Sequence, residues 1–126
     1  MAGNLTNYLE NKLLDHFLGT TTYTRPTVYV GLFTVIPGEA GGGTEVTGGS
    51  YARQAAAFDA AASGATQNTT NIDFTGMPAA TTVAIALFDA STSGNMLVYG
   101  GLTVNKTTDA GDTLRIATGD LDISID

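Results

Sequence analysis

From Asn71 onward, apolar residues recur at every second position in short sets separated by turn-forming residues. No other feature restricts the fold of this chain so strongly. The sets are Ile72 and Phe74; Val83, Ile85 and Leu87; Met96, Val98, Leu102 and Val104; Leu114 and Ile116; and Leu121, Ile123 and Ile125. A period of two sends successive side chains to opposite faces, so each set reads as a strand with one covered face. The intervening segments STSGN (91–95), KTTDAGD (106–112) and TGD (118–120) have the Gly, Asn and Asp content of hairpin turns.

Upstream, Val28, Val30 and Leu32 alternate with Tyr29, Gly31 and Phe33. This predicts a strand over 27–35 with both faces at least partly covered. The segment YARQAAAF (51–58) is compatible with a strand or a short helix; the neighbouring glycines and its place between strands favour the strand. Seven strand candidates with closely spaced turns predict a mainly β fold, an antiparallel β-sandwich or jelly roll. Residues 37–50, PGEAGGGTEVTGGS, hold six glycines and are expected to form a flexible Gly-rich loop or arm. Residues 59–70 are rich in Ala, Ser, Thr and Asn, and are expected to be a surface loop.

The N-terminal segment follows a different period. Leu5, Tyr8, Leu9, Leu13 and Phe17, joined by Leu14 and Leu18, fit an amphipathic helix over about 4–18, stopped by Gly19. Asn4 is one N-cap candidate; Asn7, with Glu10 three residues later, is the other. A lone helix has no second helix to pack on, so its stripe must lie on its own sheet or on a neighbouring subunit. With 126 residues, the whole chain is expected to be a single domain, helix about 4–18 and sandwich about 26–126.

Charge narrows the function. Twelve acidic against five basic residues give a net charge of −7, which opposes any role based on neutralising phosphates, so no nucleic-acid partner is expected. The absence of cysteine excludes disulfides, thiolate metal sites and a thiol nucleophile. The first twenty residues are interrupted by Glu10, Lys12, Asp15 and His16, so neither a signal peptide nor a membrane span is expected.

Nor does any motif point to catalysis. His16 is the sole histidine and lies in the helix, far in sequence from other polar clusters, where it suits the C-terminal end of the helix dipole. Asp109, Asp112, Asp120 and Asp122 sit in or beside turns without a DxDxDG loop, which suits turn capping better than calcium. GEAGGG (38–43) lacks the lysine of a phosphate-binding loop and does not lead into a helix. A carbohydrate-binding module or hydrolase lacks its usual groove signature here, since the chain has no tryptophan. We therefore expect no enzyme, no cofactor and no metal. Arg53 beside the glycine arm is expected to pair with Glu39, with Glu45 or with a carboxylate of another subunit.

The segments NYLENKLLDHFLG, TVYVGLFT, GGGTEVTGGSYARQ and LFDASTSGNMLVYGGLT, followed by Lys and GD, occur in order. Over nearly its whole length the chain resembles a family of small bacteriophage virion proteins usually labelled tail fibre proteins. The resemblance implies a structural protein located in the virion, assembled in the bacterial host cytoplasm and devoid of catalytic residues. Short phage β-sandwich proteins serve as head cement or decoration proteins as well as in tails. A charge-poor surface suits repeated assembly, and no repeating shaft segment is present. Both favour a capsid cement or decoration protein, a dimer or trimer bridging subunits of the major capsid protein. Its partner contacts are assigned to Leu9, Leu13 and Phe17 of the helix and to Tyr51 and Arg53 beside the arm. The alternative is a tail fibre or tail-associated protein, a fibre adaptor or host-surface binder using exposed aromatics such as Tyr99.

Overall fold

The computed structural model describes residues 4–125. In chain order the elements are β1 (Asn4–Leu5), α1 (Asn7–Phe17), β2 (Val28–Val35), β3 (Thr44–Glu45), β4 (Gln54–Ala56) and β5 (Ala65–Gln67), then β6 (Ile72–Met77), β7 (Ala80–Phe88), β8 (Met96–Thr108), β9 (Asp112–Ile116) and β10 (Asp122–Ser124). The fold is mainly β, every strand pairing is antiparallel, and the single helix lies near the N-terminus. A six-stranded sheet has the order β1–β8–β7–β2–β3, with β4 also on β2. Two two-stranded sheets, β6–β9 and β5–β10, complete it.

The central architectural device is one long ribbon. β7 and β8 pair from Phe88↔Met96 at the hairpin end to Ala80↔Thr108, and β6 and β9 carry the pairing onward from Met77↔Asp112 to Ile72↔Ile116. Between Thr82↔Lys106 and Ala84↔Gly101 the register jumps, so that Leu102–Asn105 stand opposite Val83 alone. Surplus residues on one strand bend and twist a ribbon. The core then forms between the large sheet and the β6–β9 end: Val30, Leu32, Ile85, Leu87 and Val98 pack with Ile72, Phe74, Met77 and Leu114. Apolar alternation on each strand supplies these side chains, so most members of the periodic sets lie in the core, whereas Val104 and Ile125 of the same sets are exposed.

The opposite face of the large sheet is also buried. Phe33, Ala84, Ala86, Phe88 and Tyr99 form a second cluster, with the Phe33 and Phe88 rings stacked at 6.1 Å between centroids. Residues 37–50 turn back along β2. Gly38 and Gly41 exchange backbone hydrogen bonds, β3 pairs with Phe33 and Val35, and Val46 is buried.

Three local expectations are corrected. The helix begins at Asn7, not Asn4, and its N-cap is Thr6, neither Asn4 nor Asn7. Asn4 and Leu5 instead pair with Tyr99 and Val98 of β8. The buried Thr6 hydroxyl accepts from the Leu9 N–H and lies within donating distance of the Met96 and Leu97 carbonyls, so one side chain both caps the helix and fastens it to the sheet. The strand expected over 51–58 is confined to Gln54–Ala56, the stretch that pairs with Val28–Val30 of β2. Within 59–70, expected to be loop, Ala65–Gln67 pairs with β10; this exposed segment carries no apolar alternation to announce a strand.

Candidate interaction surface

The edge of β2 holds the most elaborate polar cluster of the molecule. β3 pairs with β2 at Phe33 and β4 pairs with it at Val30, which leaves Leu32 between two short partners. Its carbonyl accepts from the Val46 N–H at 2.9 Å. Its N–H donates to the Tyr51 hydroxyl at 2.9 Å, and that hydroxyl donates onward to Glu45 Oε2 at 2.7 Å. Burial, together with the bond to Glu45, pushes the Tyr51 phenol well above the ordinary tyrosine range. Gly31 makes this arrangement possible: a Cβ there would lie 3.0 Å from Glu45 Oε2 and 3.1 Å from the Phe88 ring.

Arg53 closes the cluster. Its Nε and Nη2 donate to the two carboxylate oxygens of Glu45 at 3.0 and 2.9 Å, while Nη1 donates to the carbonyls of Ala90 and Ser93. The guanidinium also lies over Phe88. With its side chain only 10% exposed, Arg53 ties the β2 edge to the β7–β8 turn.

Beside this cluster lies a cavity of about 590 Å³, bounded by Tyr8 at the start of α1, by Gly41–Gly43 of the glycine segment, by Asn95 and Met96 after the turn, and by Phe33 and Phe88. Gly41, Gly42 and Gly43 all have positive φ, a backbone path suited to glycine.

The C-terminal half of the helix is largely uncovered. None of its residues is buried. Its first turns are anchored, since Leu5, Tyr8 and Leu9 pack against the main core. Beyond them Leu14, Phe17 and Leu18 are 50%, 66% and 73% exposed. His16 Nδ1 accepts the Tyr23 N–H at 3.0 Å, which folds the following segment back on the helix end.

The residues predicted to contact partners therefore separate. Leu9 packs on the core, Leu13 is half-buried, and Phe17 stands exposed. Tyr51 and Arg53 come together around Glu45, one of the two intrachain partners expected for Arg53, and Glu39 takes no part in that pair. Tyr99, named as an exposed aromatic, is buried in the second cluster. Leu14 and Leu18 were legible as helix residues, yet their exposure depends on where the sheet ends.

A family model described as Podophage GP4 fiber I protein gp80 matches residues 4–124. The chain belongs to this family. It is a small phage structural protein of the tail-fibre type, as the resemblance implied. The family supports the tail-fibre alternative better than the capsid-cement reading. No curated protein matches the chain.

Proposed function

We propose that this protein is a non-enzymatic subunit of a podophage tail fibre that works by holding other virion proteins. The observation that carries the reading is the match to the fiber I family over residues 4–124. The surface fits it: α1 is fastened to the sheet at Thr6 and leaves Leu14, Phe17 and Leu18 uncovered, as a docking end for a neighbouring protein requires.

Quantitative mass spectrometry of purified virions tests the proposal. A tail-fibre subunit is expected at a small fraction of the major capsid protein. A copy number comparable to the capsid protein would overturn the fibre reading in favour of cement, and absence from the particle would overturn both.

A further inference from the structure

A second cavity, remote from Arg53, opens where the ribbon bends. Its volume is about 270 Å³. The walls come from both layers: Leu32, Ile85 and Leu102 on one side, Leu114 and Ile116 on the other. The surplus residues Leu102–Asn105, opposite Val83 alone, swing out of register and leave the gap between layers open at this corner.

Two polar groups distinguish this cleft from a packing gap. Thr82 is wholly buried and lines the cleft, and its hydroxyl has no hydrogen-bond partner. Buried hydroxyls normally have one. Directly across the ladder stands Lys106, which also lines the cleft and forms no ion pair among the described residues. Cross-strand partners in register project from the same face of a sheet. An unpartnered donor and an unpaired cation thus stand together at the end of an apolar cleft in a chain of net charge −7. The other charged lining groups are Arg115 of β9, engaged by Asp73 at 2.7 Å, and Asp120 in the turn before β10.

We infer that this cleft binds a small anionic amphiphile, a carboxylate on a short aliphatic chain. The head group pairs with Lys106 at the exposed end of the cleft and meets the Thr82 hydroxyl, which is covered in this structure, as Leu102–Asn105 shift aside; the chain lies between the layers against Ile85, Leu102 and Leu114. This site is independent of the helix end and of the fibre assignment.

Sodium octanoate is the probe, titrated into the full chain while backbone amide resonances are followed by NMR. The expected result is saturable shifts of Thr82, Ile85, Lys106, Leu114 and Ile116 at millimolar octanoate. Octanol, Lys106→Met and Thr82→Val should each bind roughly tenfold more weakly, the size of one hydrogen bond to a charged group. Leu102→Trp, which fills the mouth from a half-buried position, should abolish the shifts while circular dichroism reports an unchanged fold. Unmoved cleft amides at millimolar octanoate would overturn the proposal. So would equal binding of octanol and octanoate with no effect of Lys106→Met.

Discussion

The Arg53 guanidinium carbon lies 3.5 Å from the centre of the Phe88 ring while the same group clasps the Glu45 carboxylate through two hydrogen bonds. One side chain thereby joins the edge of the large sheet, the aromatic cluster on its second face and the β7–β8 turn. Removing it leaves Glu45 partly buried without its cation. We expect Arg53→Ala to cost about 3 kcal/mol of stability, and Arg53→Lys to recover only part of this because an ammonium cannot reproduce the two-pronged pairing. Urea denaturation checks both, and Arg53→Ala with Glu45→Ala should cost clearly less than the two single changes added.

Tyr51 spans the Leu32 N–H and Glu45, of which Glu45 is also held by Arg53. Tyr51→Phe keeps the ring stacked near Phe74 but deprives the Leu32 N–H and Glu45 of their bonds. A loss of about 2 kcal/mol is expected. A difference below 0.5 kcal/mol, roughly the scale of an ordinary surface change, would show that water replaces the hydroxyl freely.

The same hydroxyl sets an alkaline limit. Its folded-state pKa is raised above the ordinary 10.0, first by burial and then by Glu45, so the unfolded chain ionises first. The stabilisation is complete below pH about 10 and is lost as pH rises toward the folded-state value. Tyr23 shifts in the same direction through burial and the nearby Tyr8 and Asp89. The difference between wild type and Tyr51→Phe, measured by denaturation from pH 8 to 11, isolates Tyr51 and should shrink at the alkaline end.

Thr6 joins helix to sheet. Thr6→Ala removes the N-cap acceptor and the bonds to Met96 and Leu97, and about 1–2 kcal/mol should be lost. Thr6→Ser should restore most of it, read from the same unfolding curves.

The exposed helix end makes the opposite prediction. Leu14→Ser, Phe17→Ser and Leu18→Ser change side chains with little contact to their own chain, so each should alter stability by about 0.5 kcal/mol or less. Combined, they should prevent incorporation into virions, measured as copy number per particle. Normal incorporation would show that the helix end is not the docking surface.

Each strand announced by apolar alternation is present, because a side chain's face follows from its parity along a strand and burial of one face rewards that pattern. The Gly and Asp turns around Gly94 and Gly111 were equally legible, since positive φ at those positions is a property of the local backbone. The pairing of Arg53 with one of two nearby carboxylates could be anticipated from charge and proximity. The choice of Glu45 over Glu39 could not, because it depends on β3 pairing with Phe33. Likewise β1 and β5 exist because a partner strand offers hydrogen bonds to segments without their own pattern. The cleft beside Thr82 arises from a register jump between Thr82 and Ala84. Local order in this protein is thus written in residue spacing, whereas bend, register and exposure were decided by hydrogen bonds between residues remote in the chain, whose partners spacing does not encode.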